Sequence, residues 1–130
     1  MQEQRAVMGW TLVRVAFGVL LSLGHGLPKA LSGAKNLTAN VADMGLPFPA
    51  YFAWCATLTE LVGGLLIAVG VLTRPAAAFA SFTMLVALYD HRVDPFAKAE
   101  KALLFFAVFV AITLAGAGPW SLDARLRRRA

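Results

Sequence analysis

Cysteine, charge and acidic residues are all scarce in this chain. Of its 130 residues only Cys55 is a cysteine. No intramolecular disulfide can form, and with a single thiol the chain cannot run a dithiol–disulfide cycle alone. Cys55 itself reads as a small buried hydrophobe. There is no C-x-x-C-H, which excludes covalently attached haem. Nor is there a G-x-x-x-x-G-K-[ST] loop, so no phosphate-cradling nucleotide motif is present. Charged residues make up 15%, against about 25% in soluble domains. With 59% hydrophobic residues, the balance points to an integral membrane protein. The first apolar run is too long for the apolar stretch of a cleavable leader, and none is expected.

The charge that is present is uneven. Twelve Lys and Arg against seven Asp and Glu leave a net charge of +5. The cations form no exposed patch interleaved with aromatics, so nucleic acid is not the expected partner. Arg125, Arg127, Arg128 and Arg129 crowd behind the last apolar segment, where basic clusters face anionic lipid.

Four apolar segments run at about 7–31, 50–72, 75–91 and 99–116. A membrane span needs roughly 17 to 25 residues. The third is the shortest, and a re-entrant segment is its alternative; its lack of an internal Gly or Pro favours a span. Ser32 to Pro49 is the longest connection and is expected to hold a short amphipathic or 3₁₀ piece. The Thr73-Arg74 link forces the second and third spans into an antiparallel hairpin, with Pro75 in the first turn of the next helix. Gly116 to Pro119 ends the fourth helix, and Trp120 sits where interfacial aromatics lie. The expected fold is all-α: an integral membrane, antiparallel four-helix bundle forming a single domain over 1–130, with an Arg-rich tail at 121–130. Lysine and arginine in the short loops place both termini in the cytoplasm.

The most informative residues are polar ones inside these spans. Arg14, His25 and Lys29 fall within about 60° of one another on the first helix, at about 100° per residue. Intramembrane ionisable groups are expensive and normally face the bundle interior. Arg14 lies about 10 Å deep and Glu60 about 18 Å from the same surface. An Arg14–Glu60 pair across the first two helices is therefore expected, as a device fixing register or as a participant in proton or electron transfer. A second group gathers at the other end: His25, Lys29, His91 and Glu100, with Met84 on the face of His91 one heptad earlier. These are the candidate cofactor-binding residues. A quinone headgroup, needing an apolar cleft and a few donors, suits them best; a b-type haem between the two histidines or a metal on His25, His91 and Glu100 is less favoured. A hydrated cluster of helix ends is the plainest description. Gly18, Ser22, Gly63, Gly64 and Gly70 read as close-packing positions.

These residues also carry a family resemblance. Arg14-Val-Ala-Phe-Gly18, Gly24-His-Gly-Leu-Pro-Lys29, the run from Glu60 through Gly63-Gly64 and Gly70 to Thr73-Arg74, then Met84, His91, Glu100-Lys101 and Gly116 to Asp123 resemble the DoxX family in order and spacing. Pro119-Trp120 departs from the usual basic or polar residue before an aromatic. The resemblance implies a four-helix protein of the bacterial inner membrane, associated with quinone-linked sulfur oxidation or with thiol-dependent oxidative-stress defence. It points to a membrane subunit of a redox complex whose electrons come from a partner protein, with a homo-oligomer as another possible assembly. A non-enzymatic anchoring or assembly subunit is the alternative, and a small-solute transporter a third.

Overall fold

The computed structural model describes residues 1–130. It is helical, with six helices and no strands. Helix α1 spans Gln2–Leu31 and α3 Pro49–Val69; both are long and apolar enough to cross a membrane. Between them lies α2, Lys35–Asp43, the amphipathic piece expected in the long connection. Helix α4 spans Thr73–Asp90 and runs into a 3₁₀ turn, His91–Val93. Helix α5 spans Phe96–Ala115 and α6 spans Leu122–Arg129. Helix α1 begins earlier than the apolar pattern suggests, because nothing from Gln2 onward breaks it. The Arg-rich tail is itself mostly helical, from Leu122 to Arg129.

Local chemistry sets the boundaries. Pro49 opens α3 without losing an intrahelical bond. Gly70 closes it with φ of 82°, and the amides of Gly70 and Val71 both donate to the Leu66 carbonyl, at 2.8 and 3.0 Å. That left-handed closure costs glycine little.

Helices α1 and α3 lie antiparallel with backbones in close approach. A Cβ on Gly18 would sit 2.6 Å from the Ala68 amide nitrogen, and one on Gly64 would sit 2.7 Å from the Gly18 oxygen. Gly26 is equally tight against Glu60 and Leu61. Gly63 is less crowded; a Cβ there would come no nearer than 3.9 Å to a neighbour. Helices α3, α4 and α5 follow in order, with α4 and α5 packed along their lengths. Ala76, Ala77 and Ala80 of α4 share one core with Met84, Phe105, Phe109, Ile112, Leu21 and Ile67, so small residues on one helix accommodate rings from the next. A smaller core of Ala34, Val41 and Ala53 lies under α2.

Polarity is inverted. Arg14, Ser22, Thr57, Glu60 and Ser81 are buried, whereas Leu12, Leu23, Leu65, Phe79, Phe82 and Leu104 are exposed. Cys55, expected inside, is also exposed; it shares the outward face of α3 with Tyr51 and Leu58, spaced one helical turn on either side.

Two stretches depart from α geometry. Leu20–Gly26 in α1 and Thr59–Gly63 in α3 are π-helical, and they pack against each other. Such bulges inside α-helices often mark functional sites.

Candidate functional site

At the end of the molecule where α1 starts and α3 stops, Arg14 is 2% exposed. Its Nη1 donates to the carbonyls of Ile67 and Ala68, at 2.7 and 2.6 Å, and its Nη2 donates to the Trp120 carbonyl at 2.9 Å. The first two carbonyls belong to the last turn of α3, where backbone acceptors lack intrahelical partners and a cation is favoured by the helix dipole. Arg14 thus caps a neighbouring helix. The expected Arg14–Glu60 pair does not form. Its hydrogen bonds place the Arg14 guanidinium at Ala68, about eight residues or 12 Å along α3 from Glu60.

The chain after α5 completes this end. Gly116 and Gly118 have φ of 82° and 80° and turn the backbone across the helix ends. Trp10 Nε1 donates to the Gly116 carbonyl at 3.0 Å. The Asp123 amide donates to the Gly70 carbonyl at 2.8 Å. The Asp123 carboxylate accepts from the amides of Leu72 and Thr73, both at 3.0 Å, capping the start of α4. Burial alone would raise the Asp123 carboxyl, but the hydrogen bonds from Thr73 and Leu72 outweigh it and hold it below the ordinary carboxylate range. Sequence reasoning passed over Asp123; Ser121 at the helix N-cap position, accepting from the Ala124 amide at 3.2 Å, was the legible signal.

Glu60 has a different partner. It sits within the π-helical stretch of α3, 3% exposed. Both its oxygens accept from Lys29 Nζ, at 2.8 and 2.6 Å. Lys29 is partly exposed, so the ammonium links a buried carboxylate to the molecular surface. Ser22 Oγ donates to the Leu61 carbonyl at 2.8 Å, tying the two π-helical stretches together one residue from Glu60. His25 lies in the α1 stretch, half-buried, with its ring edge-on to Phe105 at 5.2 Å between centroids. The charges of Lys29 and Lys101 act on that ring. His25, Lys29 and Glu60 therefore form one polar layer, with Phe105 as its apolar wall.

The remaining expected residues have other partners or settings. His91 Nδ1 faces Asp94 Oδ2 at 2.8 Å in the turn after α4. Asp94 also lies 3.6 Å from Lys98; the hydrogen bond from His91, reinforced by Lys98, holds its carboxyl below the ordinary range. Met84 is buried in the hydrophobic core and Glu100 is exposed. No three metal-ligating side chains come together, so the His25, His91 and Glu100 ligand set is not assembled. Two clefts stand out, one at the α6 end and an apolar groove between α3 and α4 lined by Leu58, Val62, Leu66 and Phe79. Neither is lined by His25, Lys29 or His91.

Residues 9–92 match the profile of the family described as DoxX. That stretch contains the Arg14 cap and the whole His25–Lys29–Glu60 layer. No curated protein and no solved structure matches the chain.

Proposed function

The chain belongs to the DoxX family of membrane proteins, and on that premise we propose that it is a membrane subunit of a quinone-linked redox complex of the bacterial inner membrane, serving sulfur or thiol oxidation or oxidative-stress defence. Helices α1, α3, α4 and α5 form a four-helix bundle in the bilayer and make one domain of the chain. The inverted polarity supports this: apolar side chains face outward, as lipid requires, and ionisable ones face in. Helices α4 and α5, at 18 and 20 residues, are about 27 and 30 Å long, close to the roughly 30 Å of a hydrocarbon core. Both termini lie in the cytoplasm, where Arg5, Arg74 and the tail arginines follow the positive-inside rule.

The Lys29–Glu60 pair carries the redox reading. A buried ion pair can often be replaced by apolar residues of similar volume without loss of stability. Its position, with Glu60 inside one π-helical stretch and Lys29 just past the other, one helical turn from a half-buried histidine, is better accounted for by chemistry. His25 offers two of the features a quinone headgroup requires, a ring nitrogen for hydrogen bonding and an apolar wall, Phe105; neither of the two clefts is lined by it, so the headgroup would enter beside Phe105. A quinone, when bound, accepts electrons and protons. His25 orients the headgroup, while Glu60 and Lys29 hold a proton between the buried layer and the surface. Arg14 positions helix ends. Electrons come from a partner protein, since the chain has one thiol and no nucleotide motif.

The test is a lipid extract and a quinone-reduction assay on the protein in nanodiscs with membrane extracts supplying the partner. Co-purified quinone, and loss of quinone-dependent turnover in His25→Ala with the fold retained, are expected. Turnover independent of quinone would overturn the reading. A second reading, an anchoring or assembly subunit, is favoured by the Arg14 and Asp123 contacts, which all go to backbone. It expects His25→Ala and His91→Ala to lower the yield of the complex and leave its redox rate unchanged.

A further inference from the structure

The cleft at the α6 end has a charge pattern that the redox reading does not use. It encloses about 360 Å³ and brings together Arg74 from α4, Arg127 and Arg128 from α6, and the Gly116–Pro119 loop. Asp123 also lines it. Three arginines less one carboxylate leave two positive charges. Both Asp123 oxygens already accept backbone amides, so the carboxylate's local charge is partly balanced. The arginines are free by comparison. Arg74 donates once, from Nη2 to the Leu114 carbonyl at 3.2 Å, and a guanidinium carries five N–H groups. Arg127 and Arg128 make no ion pair within the chain. The amides of Ala117 and Gly118, in the loop, donate to no backbone carbonyl.

Planar guanidinium groups with unpaired backbone amides suit a tetrahedral oxyanion above all. The surroundings say which kind. Trp120, Leu122 and Leu126 are exposed close by in sequence, and Leu122 and Leu126 share one face of α6. A short helix with apolar residues on one face and arginines around it lies in the headgroup layer of a membrane. A free anion would gain nothing from that apolar neighbourhood, whereas a lipid's acyl chains would.

We propose that this cleft binds the phosphodiester headgroup of an anionic phospholipid, with Arg74, Arg127 and Arg128 on the phosphate oxygens. The site joins α4 to α6, so a bound lipid clamps the tail helix to the bundle. The proposal does not rest on the quinone reading, since its test measures lipid retention alone.

The experiment is native mass spectrometry of the full chain released from nanodiscs of phosphatidylcholine doped with phosphatidylglycerol. Wild type is expected to retain phosphatidylglycerol selectively. Arg127→Ala with Arg128→Ala is expected to weaken retention on the order of 25-fold, roughly fivefold per arginine at about 1 kcal/mol each. Arg125→Ala with Arg129→Ala removes the same charge outside the cleft and is expected to change retention little. Arg74→Gln, far from the tail in sequence, is expected to weaken retention about as much as one tail arginine in the cleft. Equal loss in the two tail pairs would overturn the proposal in favour of a general basic cluster. Equal retention of both lipids by wild type would also overturn it, as would displacement by millimolar inorganic phosphate.

Discussion

At one end of the molecule the guanidinium of Arg14 engages three backbone carbonyls; at the other the ammonium of Lys29 engages the carboxylate of Glu60. Both arrangements bury charge, but they differ in what they can do. Backbone carbonyls do not titrate, so Arg14 holds α1, α3 and the tail in a fixed relation. A carboxylate and an amine can exchange a proton, and the Lys29 side chain reaches partly into the open. A buried charge whose partners are all backbone is a structural device; one whose partner is another titratable side chain has chemistry available. The one pair expected from sequence joined a member of each arrangement, Arg14 from the first and Glu60 from the second.

Four perturbations would sharpen or break this contrast. The largest effect is expected at Lys29 and Glu60. Lys29→Met leaves the buried Glu60 carboxylate uncompensated and should cost about 3–5 kcal/mol, read as loss of resistance to denaturing detergent; Glu60→Met should cost less, because the partly exposed Lys29 ammonium can turn to the surface. The double Met variant should recover most of that stability. If it folds and also keeps full redox activity, the pair is structural and the contrast between the two ends disappears.

Arg14→Met comes next. It strips charge-assisted hydrogen bonds from three carbonyls and should cost about 2–3 kcal/mol. Hydrogen exchange should rise in the last turn of α3 and around Trp120, while turnover at the far layer stays unchanged. A selective fall in turnover with stability intact would contradict the assignment. Gly64→Ala should cost about 1–3 kcal/mol by overpacking, because its Cβ meets the Gly18 oxygen and the Ser22 nitrogen at 2.7 Å. A disulfide cross-linking assay between α1 and α3 would report the separation; unchanged cross-linking would show that the crossing is looser than described.

The smallest effect is at Asp123. Loss of the α4 cap in Asp123→Ala should cost about 1 kcal/mol. Its carboxyl is depressed in the folded chain, so this contribution is present above the unfolded carboxylate pKa, about 3.9, and is lost as pH falls through the lower folded value. Acid should therefore loosen the wild-type tail and leave the Ala variant's pH profile flatter. Limited proteolysis near Gly116–Pro119 across that range is the measurement, and identical profiles would show that the Asp123 cap does not hold the tail against α4.

The four long helices were legible because apolar runs and the Thr73-Arg74 link leave few other arrangements. Arg14, Lys29, His25 and Glu60 were also legible, as ionisable residues in apolar surroundings. Their pairing was not. Counting residues inward from an assumed surface gives depth, whereas register follows from contacts at Gly18, Gly26 and Gly64, where one backbone rests on another. Gly26, the tightest of these, was not among the positions read as close packing. Grouping His91 and Glu100 with His25 rested on equal depth alone; what the turn after α4 adds is a partner for His91, the Asp94 carboxylate. Helix α6 escaped because its one apolar pair, Leu122 and Leu126, is a short pattern inside a run of arginines, and the π-helical stretches escaped because their composition resembles that of any apolar helix.

Those stretches bear on how this chain tolerates insertion and deletion. A π bulge accommodates one residue more than the α-helix around it would hold in the same length. Removing one residue between Leu20 and Gly26 would let α1 relax to ordinary α geometry and stay helical throughout. The part beyond the deletion would then keep its place and its face, and Lys29 would still meet Glu60. A one-residue deletion here would thus be absorbed, whereas the same deletion in the regular α part of the helix would rotate everything beyond it by about 100° and disconnect the polar layer.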